Sequence, residues 1–339
     1  MLKYILKRLA LSVLILLGVS LIIYVLIRCM PTDYVENKVL AITQQGADVA
    51  EDMVANMYAS YGMEQIPDGA SFWESAAIMI RGYFNWLGSL CRLDFGTSFI
   101  DGEPVVDKIV GNMGVSFMVA LIATIFEFII AIPLGITAAR HQYSIRDYIV
   151  TIFVMVGISL PAFFFGQILK DLFANKLGWF PPSGLINAGV EHATILDWLG
   201  DYCLHLFIPI LTVVILSIGA RMRMTRTNML EVLNSDYIRT ARAKGLKEHK
   251  VIYKHAFRNT LIPLVTSLAG LLPSLFSGAI ITEQVFDLPG IGNIAYDAMM
   301  KVDIPFIMGY NMFLALLSVI GVLLADLMYA VVDPRVKLK

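Results

Sequence analysis

Long apolar runs alternate with short polar ones along the chain, and the runs have the length of membrane spans. Six are legible: Leu9–Ile27, Val115–Ala139, Tyr148–Leu169, Leu204–Ile218, Leu261–Ile281 and Ile307–Val332. A bilayer core takes about 20 apolar residues of helix, so the pattern predicts an all-α integral membrane protein with six transmembrane helices. The fourth run is the shortest, and Pro209 near its start predicts a helix that begins earlier or tilts. Pro133, Pro161, Pro209, Pro263 and Pro273 lie in or near the runs; such breaks are tolerated where helices pack together or line a cavity. No small-x-small cleavage site follows the first run, which therefore reads as an uncleaved span rather than a signal peptide.

The polar segments set the organisation. An N-terminal helix (1–30) leads to an extracytoplasmic segment (31–111), and a five-helix core (112–339) carries a cytoplasmic loop at 221–258. With the N-terminus inside, the inner segments hold 18 of the 26 Lys and Arg, and 20 of the 27 acids lie outside. Basic excess in short inner loops is the positive-inside signal, so both termini are expected in the cytoplasm. In the outer segment, "FWESAAIMIRGYFNWLGSL" reads as an amphipathic helix at the membrane surface, on the strength of Phe72, Trp73, Tyr83, Phe84 and Trp86. Composition agrees: 58% of the residues are hydrophobic and 16% charged, against about a quarter charged in soluble domains.

Catalytic chemistry is not legible. The chain has no phosphate-binding Gly-x-x-x-x-Gly-Lys-Ser/Thr, no His-Glu-x-x-His and no Gly-x-Ser-x-Gly. His249 and His255 are six apart, the wrong spacing for one metal-binding helix face. Cys29, Cys91 and Cys203 show no metal spacing and no disulfide framework, with a Cys91–Cys203 bridge as the alternative. Two acids fall inside the apolar runs. An acid at membrane depth marks a pathway or an internal pair, and both readings stand for Glu127; Asp326 fits an interhelical contact better than a ligand. Asp333, before Pro334, reads as ending the last helix.

One stretch departs from all this. "DYIRTARAKGLKEHKVIYKHAFRN", Asp236 to Asn259, holds seven Lys or Arg and two acids. Asn234, Ser235 and Asp236 are all capable N-caps, "YIRTARAK" favours helix, and Gly245 suits a left-handed helix end. Two short helices joined at Gly245 are expected, with Tyr237, Ala241 and Lys244 on one face of the first. Small Ala241 and Ala243 leave space for another surface. Charge alone fits a loop on anionic lipid, a reading that suits Arg221, Arg223 and Lys254, or a docking surface. Nucleic-acid binding is set aside, since no aromatic stacking platform accompanies the charge.

The spacing within "RTARAKGL", followed by "HAFRN" and Pro263, resembles the cytoplasmic loop of ABC-importer permeases, whose pattern is Glu-Ala-Ala, three residues, then Gly. Arg239, Thr240 and Ala241 stand in the Glu-Ala-Ala places and Gly245 in the Gly place. The departure at the first two positions is typical of the dipeptide/oligopeptide permease branch. Further blocks resemble that branch in the expected order: "DFGTSF", "IPLGITAA", "SLPAFFFG", "LGWFPPSG", "FDLPGIG" and "DLMYAVVDPRV".

The resemblance implies a type I ABC importer permease fold in a bacterial-type inner or plasma membrane, forming half of a path for di- or oligopeptides. It implies a second homologous permease, two cytoplasmic ATPases that bind ATP and Mg, and an extracytoplasmic solute-binding protein; no cofactor is expected in this chain. Asp236, Tyr237, Arg239, Thr240, Ala241, Arg242, Lys244 and Gly245 would form the coupling helix docked on an ATPase. Asp287, Pro289, Gly290, Asn293 and Asp297 would meet the binding protein. Nickel, glutathione or another small solute remains an alternative cargo, and a secondary transporter an alternative class.

Overall fold

The computed structural model describes residues 2–29, 66–67, 69–187, 189–190, 193–267 and 270–332. Most of the outer segment before Phe72, and the helix-ending role read for Asp333, lie outside the described residues. In chain order the helices are α1 (Leu2–Arg28), α2 (Phe72–Cys91), α3 (Val105–Arg140), α4 (Ile145–Ser159), α5 (Ala162–Leu169, extended by a π-helical turn Lys170–Lys176), α6 (Ile195–Leu233), α7 (Asp236–Ala243), α8 (Phe257–Ser267, entered through Glu248–Lys250 and a π-helical stretch Val251–Ala256), α9 (Leu271–Phe276), α10 (Ile280–Val285), α11 (Ile291–Met300) and α12 (Ile304–Val332). The described chain is all-α, with one isolated β-bridge between Thr97 and Pro104.

The expectation of six spans is corrected. Among the described residues, four helices are long and apolar enough to cross a membrane: Leu6–Arg28, Val105–Arg140, Ile195–Leu233 and Ile304–Asp326. A fifth span is counted only if α4 and α5 are taken together, and they meet at a bend of 103°. The cause is local. Leu160 caps α4 with extended backbone (ψ 133°), and Pro161 then supplies no N–H to continue the ladder. The run Leu261–Ile281 fails differently. It is divided among α8, α9 and α10, which have 11, 6 and 6 residues, and Gly278 stands at φ +73° before α10. Apolar length was legible there, but helix continuity was not. The short fourth run does belong to a full span, because α6 starts at Ile195 behind a Thr194–Asp197 capping box and runs through Pro209 for 39 residues.

The chain divides into two compact units, 1–112 with 294–319, and 113–293 with 320–339. In the first, α1 packs on α2 through Tyr24, Tyr83 and Trp86, and the Ser20 and Tyr83 hydroxyls lie 2.9 Å apart. Phe72, Trp73 and Phe84 stay exposed, so only part of the aromatic set on α2 faces outward. Buried Asp303 accepts from Ser98 Oγ at 2.5 Å and from the Phe99 amide at 3.0 Å. Lys108 donates to Ser98 Oγ at 3.1 Å and pairs with Asp101.

In the second unit α3 and α4 pack on α6. A Cβ at Gly135 would lie 2.8 Å from the Met222 carbonyl, and one at Gly157 would lie 2.8 Å from the Ile215 carbonyl. Small residues at such crossings let backbones approach where lipid supplies no hydrophobic drive between helices. Asp147 at the start of α4 takes two bonds from Arg226 of α6, at 2.9 and 2.8 Å.

Candidate functional site

Three arrangements in the second unit carry polar chemistry. The first is the basic stretch. Ser235 is the N-cap of α7, in extended backbone (φ −73°, ψ 152°). Ile238 and Ala241 turn inward and are buried among Ile136, Met229, Val251 and Ile252. Asp236, Tyr237, Arg239, Thr240, Arg242 and Lys244 are exposed. The face expected to join Tyr237 with Ala241 is therefore split. Ala241 fills this chain's own core, while the Tyr237 hydroxyl accepts from Asn259 Nδ2 at 3.1 Å. Gly245 ends the helix at φ +72°, and a Cβ there would meet nothing within 4 Å; its requirement is backbone conformation rather than space. Arg242 grips Glu248 with two bonds, Nη2 to Oε1 at 2.8 Å and Nε to Oε2 at 3.3 Å. Those hydrogen bonds, against the smaller opposing effect of partial burial, hold the Glu248 carboxyl below its ordinary range.

The second arrangement was not legible in the sequence. Glu283, just past the apolar run that ends at Ile281, is fully buried. Its carboxylate accepts from Ser116 Oγ at 2.6 Å, from the Ala279 amide at 3.1 Å and from the Asn293 amide at 2.9 Å. Ser116 Oγ in turn accepts from the Ile291 amide at 2.9 Å. A Cβ at Gly278, Gly290 or Gly292 would stand 2.8, 2.5 or 2.8 Å from atoms of this carboxylate. Three glycines thus make room for one acid, and their clustering around it was the available signal. Of the residues assigned to binding-protein contact, Asp287 and Pro289 are exposed at this turn, Gly290 is buried and Asn293 is half-buried. Asp297 is exposed on α11.

The third arrangement is a cavity of about 420 Å³ whose lining includes Thr124, Glu127, Ser217, Arg221 and Ser274. Arg221 Nε donates to Glu127 Oε1 at 3.0 Å, and the guanidinium stands 5.0 Å above the Phe128 ring. Glu127 is thus paired across helices, and it also lines a cavity. Arg221 was expected to face lipid as a loop charge. It is corrected to an α6 residue paired with α3, because α6 continues unbroken to Leu233. Among the described residues no group of three or more His, Cys, Asp or Glu is placed to hold a metal ion.

Apolar helices packed through small residues, with a buried ion pair in a cavity wall, define a multi-pass membrane protein. The chain belongs to the binding-protein-dependent transport system inner membrane component family: that family's model matches residues 131–338, and the model of its N-terminal region matches residues 1–120. It is a permease component. It is similar to the oligopeptide transport system permease protein AppB of Bacillus subtilis, 34% identical over 338 residues, covering 99% of this chain and 100% of that one. It is also similar to the dipeptide transport system permease protein DppB of Alkalihalophilus pseudofirmus, 31% identical over 353 residues, covering 99% and 100%. The peptidoglycan transport system permease protein YejB of Agrobacterium fabrum is 29% identical over 355 residues, covering 98% and 97%.

Proposed function

We propose that this chain is one of two permease subunits of an ATP-driven importer of short peptides. The observation that carries the reading is end-to-end similarity to permeases named for oligopeptide and dipeptide transport. The second permease, two cytoplasmic ATPases and an extracytoplasmic binding protein complete the assembly. The exposed face of α7, made by Asp236, Tyr237, Arg239, Thr240, Arg242 and Lys244, docks on an ATPase. Ala241 acts from beneath by seating the helix, and Gly245 sets its exit angle. The turn at Asp287 and Pro289, with Gly290 and Asn293 shaping it from within, and exposed Asp297 receive the binding protein.

Both termini lie in the cytoplasm. Four crossings, counted without the bent α4–α5 pair, leave both ends on one face, and the basic residues at each end support the cytoplasm as that face. An impermeant thiol reagent on intact cells tests each end separately, with single cysteines placed at Lys3 and at Lys339; labelling of either without lysis overturns that end's assignment.

Reconstitution tests the function. The purified assembly in liposomes is expected to accumulate a labelled tripeptide only with ATP inside and binding protein outside. Accumulation of nickel or glutathione in place of the peptide would sink the peptide reading, and peptide uptake by this chain without partners would sink the importer.

A further inference from the structure

We propose that the Glu127–Arg221 pair is a cargo subsite, in which Arg221 takes the carboxylate end of a transported peptide and Glu127 holds that place when the cavity is empty. The inference rests on the peptide-importer reading and deepens it.

The pair is built where charge is costly. Both α3 and α6 have the length and apolarity of membrane spans, and the two side chains are only 9% and 18% exposed. A buried ion pair is seldom kept for stability, since apolar residues of similar volume serve as well or better. Ionisable groups at such depth mark substrate paths by default. Here the two groups do not simply close on each other inside packed protein. Both line the same cavity of about 420 Å³, which falls within the range of roughly 300–1,000 Å³ usual for small-ligand sites.

The chemistry of the pair selects the ligand. A guanidinium recognises a carboxylate by charge and by the geometry of its donors. Phe128 lies against its face, which helps to hold the planar group in one orientation. An incoming carboxylate replaces Glu127 like for like, so Arg221 never stands unpaired in a low-dielectric wall. Displaced Glu127 is left facing the cavity, which is wide enough to admit water to it. A peptide with a blocked C-terminus has nothing to offer in that exchange.

The test uses the whole assembly in liposomes and two probes, trialanine and its C-terminal amide. The same binding protein serves every arm, so its own preference cancels when ratios of uptake are compared between variants. In the unaltered protein the free acid is expected to enter about tenfold faster than the amide, the scale of one charged hydrogen bond. Arg221→Gln should bring that ratio near one while ATP hydrolysis continues. Glu127→Gln, which removes the resident competitor and keeps the shape, should raise the ratio by about threefold. A purely structural pair would slow both probes equally in both variants, and an unchanged ratio overturns the subsite. If Arg221→Gln fails to assemble, the Glu127→Gln arm decides alone, and an unchanged ratio there overturns it too. Uptake of neither probe by an unaltered assembly that hydrolyses ATP is a different outcome; it defeats the peptide reading itself, and the subsite with it.

Discussion

Two turns of the second unit invite comparison. Asn234–Gly245 and Gly278–Asn293 are both short, marked by glycine and edged with exposed charge, and they are held in opposite ways. In the first the apolar groups point in and the charges point out. Ile238 and Ala241 anchor two turns of helix, and the side-chain ion pair of Arg242 with Glu248 at its exit is about half exposed on each side. In the second the charge is inside. Glu283 gathers a hydroxyl and two backbone amides around one carboxylate, and three glycines clear the space. Apolar contact is non-directional, so a helix held that way can tilt on its anchor. A carboxylate held by three directed donors fixes one geometry. The comparison assigns give to α7 and rigidity to the Glu283 turn, which suits the ATPase docking and binding-protein contact proposed for them.

The largest effect is expected at the rigid turn. Glu283→Ala strands one buried and two half-buried donors, each costing about 1–3 kcal/mol when fully buried and unsatisfied, so a loss of about 2–3 kcal/mol is expected. It should appear as a lower melting temperature of the detergent-solubilised protein. Gly290→Ala should destabilise in the same direction, because its Cβ would sit 2.5 Å from the Glu283 carboxyl carbon and 2.6 Å from Ser116 Oγ. An unchanged melting temperature in both variants would mean that the turn is not clamped.

Next comes the apolar anchor of α7. Ala241→Asp places an unpaired carboxylate among Ile136, Met229 and Ile252, at a cost of about 2–3 kcal/mol. The damage should be local: trypsin should cut faster at Arg239 and Arg242 while the melting temperature of the remainder falls little. A global collapse equal to that of Glu283→Ala would erase the contrast between the two turns.

How far each turn was legible follows from how it is held. The sequence shows helix formers between a cap and a glycine, and the structure has α7 between Ser235 and Gly245. Capping, helix propensity and a left-handed glycine are all local properties of the chain. It could not show that Ala241 faces inward, since inside and outside on a two-turn helix depend on what lies beneath. Glu283 was invisible because its partners, Ser116 and Asn293, come from distant positions, and an acid beside apolar residues also reads as a loop edge. Arg221 was misplaced for a related reason: α6 continues past the apolar run, and hydropathy ends where helix does not. The same blindness to continuity produced the surplus span, because Leu261–Ile281 is apolar enough to cross yet is broken into three short helices.

A smaller effect isolates the backbone at the α7 exit. Gly245→Val meets no atoms within 4 Å, so its penalty is conformational, roughly 1–2 kcal/mol for a left-handed L-residue. The protein should still insert and melt almost as before. Co-purification of the ATPases, or the ratio of transport to ATP hydrolysis, should fall. Normal association and normal coupling together would return the basic stretch to the lipid surface.

The smallest effect belongs to the exposed pair behind that glycine, and its sign is set by Glu248. Arg242 lowers the Glu248 pKa in the folded protein, so the folded state favours the ionised form more than the unfolded chain does. The stabilisation is fully present above the ordinary carboxylate pKa and is lost as pH falls through the lowered folded value. Arg242 stays charged throughout and adds no titration of its own. Both side chains are more than two-fifths exposed, and solvent screening keeps such a pair below about 1 kcal/mol. Amide exchange across Gly245–Lys250, corrected for its intrinsic pH dependence, should therefore show slightly greater protection in the unaltered protein than in Glu248→Gln at neutral pH. That difference should vanish in acid below the carboxylate range and shrink in high salt. A difference that persisted in acid would show the turn to be held by something other than this ion pair and the exposed Tyr237–Asn259 bond, and the contrast with the Glu283 turn would fail.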